Sequence, residues 1–162
     1  MEPRFTEALI AGVESVAAWA DLLDEINVFP VADGDTGRNL IVSLTPLRRI
    51  AFGKDAAARE LLLAARGNSG NIAARFFSGF LLAEGIGGLA GPVRTGSERA
   101  RQAVRDPKPG TMLTVFEALV TALEETPPPY DRCWRDRIIE RLEAAVLSTP
   151  RLLPKLAAAG VV

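Results

Sequence analysis

The chain of 162 residues is long enough for one ordinary domain with a buried core, and 48% hydrophobic with 24% charged residues is a globular rather than a disordered balance. A net charge of -1 leaves no basic excess for capturing nucleic acid, and no stretch is long and apolar enough for a transmembrane segment. Cys133, the single cysteine, has no internal partner, which fits a reducing cytoplasm, and the lack of any histidine removes imidazole zinc sites and histidine acid–base chemistry. Whatever chemistry the chain performs falls to carboxylates, amides, hydroxyls, arginines and backbone groups, a set suited to hard, oxygen-ligated metals such as magnesium.

Helical periodicity dominates from the start. Phe5, Leu9, Val13, Val16, Ala20 and Leu23 follow three- and four-residue spacing, which predicts one long amphipathic helix. Its charges, among them Glu2, Arg4, Glu7 and Glu14, exclude a signal peptide. Pro30, Gly34 and Gly37 break the pattern over 27–37, and a helix follows Asp35 with Leu40, Ile41 and Leu44 inward until Pro46 interrupts it. Further helices are predicted over 55–66 and from Ser69 to the glycine-rich bend 85–91. Others follow over 94–105, 112–125 and, after Pro127-Pro128-Pro129, from Asp131 to Leu147. A last one should begin near Pro150, since proline suits a first helical turn. The sum is about eight helices without a convincing strand pair, an all-α bundle in a single domain spanning 1–162. Phe76, Phe77 and Phe80 read as core, Trp19 and Trp134 as partly buried anchors, and Cys133 as a semi-buried bystander. Arg99, Arg101 and Arg105 read as a solvated face.

Three loops before helix starts carry small polar groups. In Asp33-Gly34-Asp35-Thr36-Gly37, two carboxylates on an irregular loop can converge on Mg²⁺, which would relieve their repulsion and offer open positions to phosphate. On the triplet alone the better reading is a tight turn with Asp35 as helix N-cap. The spacing excludes an EF-hand, as Arg38 stands where that loop needs its glycine. Arg66-Gly67-Asn68-Ser69-Gly70 is a candidate anion cradle at a helix N-terminus, against a plain C-cap followed by an N-cap; it is no Walker A loop. Pro109-Gly110-Thr111-Met112-Leu113-Thr114 is a third loop leading into a helix. Clustered at one end of a bundle, the three would form a rim for metal and phosphate.

The stretches "NVFPVADGDTGRN", "LLLAARGNSGN", "KPGTMLTV" and "STPRLLPKLAAAGVV" occur in this order. Together they resemble the N-terminal domain of bacterial fatty acid kinases, which is related to the nucleotide-binding (DhaL-like) subunit of dihydroxyacetone kinases. The resemblance spans residues 5 to 162. It implies an antiparallel barrel of about eight helices with ATP at one end and two Mg²⁺ between phosphates and aspartates. Carried over, Asp33 and Asp35 are the metal ligands, with Asn27 a third contributor. Thr36 and Asn39 sit near the phosphates, and Gly67, Asn68, Ser69 and Gly70 cradle them. Thr111, Met112 and Leu113 lie against the nucleotide. The implied reaction passes a phosphoryl group from ATP to a fatty acid carboxylate presented by a lipid-binding partner protein. The alternatives are a small-ketone kinase of the dihydroxyacetone type and a non-catalytic helical interaction module.

The chain also departs from the family pattern. Ala32 replaces a proline, Arg38 a threonine and Leu40 a methionine, while Asn71-Ile72-Ala73-Ala74-Arg75 replaces Val-Ile-Leu-Ser-Gln. Arg38 either adds charge against phosphate or crowds the site. The family continues beyond the position of Val162 into Asp-Ala-Gly-Gly and further domains, through which a homodimer could form. Weak nucleotide binding by this stretch alone is therefore the expectation.

Overall fold

The computed structural model describes residues 3–83, 88–126, 128 and 131–161. Glu2, residues 85–87 of the glycine-rich bend, and Pro127 and Pro129 of the proline run lie outside them. The described residues form nine α-helices and one 3₁₀ segment, with no strand. They are α1 (Pro3–Ala18), α2 (Ala20–Glu25), α3 (Thr36–Leu44), a 3₁₀ segment (Thr45–Phe52), α4 (Lys54–Ala64), α5 (Gly67–Leu82), α6 (Ala90–Gln102), α7 (Met112–Glu125), α8 (Arg132–Leu152) and α9 (Pro154–Ala159). The fold is all-α, as the periodicity predicts.

The single long N-terminal helix predicted through Leu23 is instead two, separated at Trp19. The break turns α2 onto α3, where Gly37 meets the Ala20 carbonyl so closely that a β-carbon built on the glycine would stand 2.0 Å from that oxygen. Trp19, left at the corner, is 61% exposed rather than an anchor. Trp134 does anchor: it is half-buried and its indole Nε1–H donates to the Thr126 carbonyl at 2.7 Å. Cys133 is exposed, not semi-buried.

Pro46 ends α3 as expected, but Pro150 does not begin the last helix; it lies inside α8. A proline there removes the N–H that would reach the carbonyl one turn back, that of Val146. The Thr149 hydroxyl donates to this same carbonyl at 2.7 Å, so the acceptor is satisfied and the helix runs on. The proline that starts a helix is Pro154, at the head of α9.

Two apolar clusters make the core. Val13, Leu40, Leu44, Leu47, Ile50, Ala58, Leu61 and Ala74 gather α1, α3, the 3₁₀ segment, α4 and α5. Ile72, Phe76, Val93, Ala100, Leu113, Ala122 and Ile138 gather α5 to α8. The two meet along α5, whose Phe77 and Phe80 touch both. Phe76 stacks on Phe116 with ring centroids 4.0 Å apart, and Phe80 on Phe5 at 5.5 Å, so the three phenylalanines are core residues. Hydrophobic burial of this kind, not helix propensity, holds short helices in place. Among the described residues no helix is long and apolar enough to cross a membrane.

Candidate functional site

The start of α3 is capped from a distance. Asp35 occupies the N-cap position, yet its side chain makes no capping hydrogen bond. The Gly37 and Arg38 N–H groups donate instead to Asp24 Oδ1, at 2.6 and 3.3 Å, from 13 and 14 residues along the chain. Arg38 Nε donates to Asp24 Oδ2 at 2.8 Å, and its Nη2 donates to the Gly34 carbonyl at 2.6 Å. Arg38 therefore pins the turn from behind and neither lines the cavity described below nor crowds it. The Asp35 carboxylate, released from capping, takes no hydrogen bond from a described residue. Asp33 is steered by Asn27, whose Nδ2–H donates to Asp33 Oδ1 at 2.7 Å.

Partial burial raises the Asp24 carboxyl pKa, but the Gly37 and Arg38 N–H groups and the Arg38 guanidinium outweigh it and hold the group below its usual 3.8. A carboxyl depressed on folding stabilises the fold above its unfolded value and loses that contribution as pH falls through the lower folded value. The thermal midpoint of the wild type should thus exceed that of Asp24→Asn near neutrality, and the gap should close below about pH 4, which a pair of melting series would read.

The second loop is locked to the first by contacts without slack. The Ser43 hydroxyl, fully buried, donates to the Asn39 carbonyl at 2.6 Å and accepts the Arg66 N–H at 2.9 Å. Gly67 has a positive φ of 60°, and a β-carbon there would stand 2.3 Å from Asn39 Nδ2; one on Gly70 would stand 2.1 Å from Ser43 Oγ. At Gly67 the positive φ favours glycine, and at Gly70 the buried Ser43 hydroxyl and the Asn39 carbonyl leave no room for a side chain. The helix that follows, α5, begins at Gly67 with no side-chain cap on its first-turn N–H groups. The third loop ends similarly: α7 begins at Met112 with no side-chain cap. Thr111 spends its hydroxyl on the Lys108 carbonyl (2.9 Å), and the Gly110 N–H donates to Thr114 Oγ1 at 2.9 Å.

All three loops open onto one cavity of about 890 Å³. Asn27, Asp33, Asp35 and Thr36 line it from the first loop, Gly67, Asn68 and Ser69 from the second, and Thr111, Met112 and Leu113 from the third. Two predicted site residues stand off it: Asn39 lies behind Gly67, and Gly70 packs on Ser43, both within the α3–α5 contact. The cavity is therefore a polar floor bearing two carboxylates and two uncapped helix N-termini, each an anion-attracting end. Leu23, Val28, Phe29, Val146, Leu153 and Leu156 give it an apolar stretch of wall. Lys155 closes that side, its Nζ donating to the Pro30 carbonyl at 3.0 Å and lying 5.9 Å from the Phe29 ring centre.

Several lining residues escaped the sequence reading. The wall from α8 and α9 follows no signal beyond an apolar spacing. Arg105, Asp106 and Lys108 also line the cavity, and Arg105 is exposed there, as its reading as part of a solvated face requires. The carboxylates of Asp33 and Asp35, both lining the cavity, are donors of the kind a hard cation takes, although among the described residues no group of three or more His, Cys, Asp or Glu that could hold a metal ion is present. Mg²⁺ is held by one or two carboxylates, with phosphate and water completing its shell.

The described residues define an all-helical domain whose three polar loops meet at one cavity. The chain belongs to the DAK2 domain family, which matches residues 30–162; the family is DhaL-like, associated with kinases and related to nucleotide binding. It is 35% identical to Protein YloV of Bacillus subtilis and to an uncharacterized protein of Staphylococcus saprophyticus, in each case over 98% of this chain and 32% of the relative. An uncharacterized protein of Staphylococcus aureus is 33% identical over the same shares. The chain thus spans about a third of the length of the curated relatives it matches.

Proposed function

We propose that the cavity binds Mg-ATP and that the domain serves phosphoryl transfer to the carboxylate of a fatty acid carried by a separate lipid-binding protein, in the cytoplasm. The observation that carries this reading is the meeting of the Asp33/Asp35 loop with two uncapped helix N-termini in a cavity of nucleotide size. Asp33 and Asp35 hold the metal edge, and Asn27 orients Asp33. The first-turn N–H groups of α5, at Asn68 and Ser69, would receive the phosphates, and Thr111, Met112 and Leu113, which line the same cavity, would pack beside the nucleotide. The apolar wall receives the base and excludes water from that end. Bound Mg²⁺ would supply charge neutralisation and alignment of the phosphate oxygens, which is most of what phosphoryl transfer asks of a protein.

The reading is tested by calorimetric titration of the chain with ADP and ATP, with and without Mg²⁺. Binding that requires the metal is expected; no heat with either nucleotide in the presence of Mg²⁺ would remove the reading. The acceptor is resolved by turnover assays. A fatty acid on its binding protein should be phosphorylated and dihydroxyacetone should not, and the reverse result would move the domain to the small-ketone kinases.

A further inference from the structure

Two cations line the cavity, and they differ in how they are used. Lys108 is held by Asp106 at 2.7 Å, so that pair is internally neutral. Arg105 makes no ion pair or hydrogen bond with any described residue, and it is exposed at the cavity rim. Its neighbour one turn back, Arg101, faces elsewhere and pairs with Glu117 at 2.7 Å. Arg105 thus brings one uncompensated positive charge to a cavity that otherwise offers anions only the partial charges of helix N-termini.

We propose that Arg105 binds the terminal phosphate of the nucleotide and makes the site prefer a nucleoside triphosphate to a diphosphate. The inference rests on the nucleotide reading above and adds the group that distinguishes the two ligands. A triphosphate carries one more phosphate than a diphosphate. Cations held by Asp33 and Asp35 are partly neutralised by those carboxylates, so the added phosphate needs a further positive partner. Helix N-termini supply about half a charge each, whereas a guanidinium supplies a whole one in a fork matched to two phosphate oxygens. The position suits the task. Arg105 stands on the same loop as Gly110 and Thr111, which lead into the uncapped end of α7. Because it is exposed and makes no hydrogen bond or ion pair with a described residue, its removal should leave the thermal midpoint nearly unchanged.

Calorimetry with Mg-ATP and Mg-ADP on the wild type, Arg105→Ala, Arg105→Lys and the control Arg101→Ala tests this. Arg105→Ala should weaken Mg-ATP about tenfold and Mg-ADP less than about threefold, with an unaltered thermal midpoint. Arg105→Lys should recover part of the ATP affinity by restoring charge without the fork. Arg101→Ala should match the wild type. Wild-type binding with Arg105→Ala unchanged, or weakened equally for both nucleotides, would overturn this inference alone. A wild type that binds neither nucleotide would overturn the nucleotide reading and this inference with it.

Discussion

In the Asp35→Asn variant, Mg-dependent nucleotide affinity should fall by more than about 100-fold, beyond the loss typical of residues behind a metal's own ligands. The expected result is sharp because the carboxylate has no structural employment: Asp24, not Asp35, receives the N–H groups at the start of α3. The amide keeps the shape of the side chain and removes only its charge, so the thermal midpoint should stay within about 2 °C of the wild type. Nucleotide titration beside a melting curve separates these effects. Retained affinity would show that the loop is only a turn.

Gly37→Ala is the second large effect, on stability rather than binding. The added β-carbon would overlap the backbone of Ala20, standing 2.0 Å from its oxygen and 2.7 Å from its carbonyl carbon. Neither neighbour is a flexible side-chain end, so α2 must move off α3 and the hydrogen bonds to Asp24 must lengthen. A cost of about 3 kcal/mol or more is expected, the upper part of the overpacking range. For a chain of this size that lowers the melting midpoint by roughly 6–12 °C. Gly12→Ala in α1 is the matched contrast: nothing lies within 4 Å of its added carbon, so the helix should gain about 0.5–1 kcal/mol. Equal melting of the two variants would contradict the close α2–α3 contact.

How much of this could be read from the sequence depends on whether the cause was local. The apolar spacing of α7 predicts 112–125, and the helix is Met112–Glu125. Where proline was taken as a boundary, neighbours decided otherwise. Pro150 is absorbed because Thr149 covers the orphaned carbonyl, so it lies inside α8 instead of starting a last helix. The three polar loops were visible as motifs, but their meeting at one cavity depends on packing along α5. Asp24 gave no signal at all. It lies among the acidic residues of an amphipathic stretch, and only the fold brings it to the start of α3. Arg101 and Arg105 are both exposed, as a solvated face requires, but only the fold shows that Arg105 also lines the cavity while Arg101 pairs with Glu117.

The Ser43 hydroxyl and the two bare glycines opposite α3 have a mechanical consequence. With no room between them, the beginnings of α3 and α5 move as one piece, a fixed jaw that carries Asp35 and Ser69 together. On the far side, α9 packs on α8 and no other helix among the described residues, and it reaches the 27–35 loop through Lys155. Any widening of the cavity therefore belongs to the α8–α9 side.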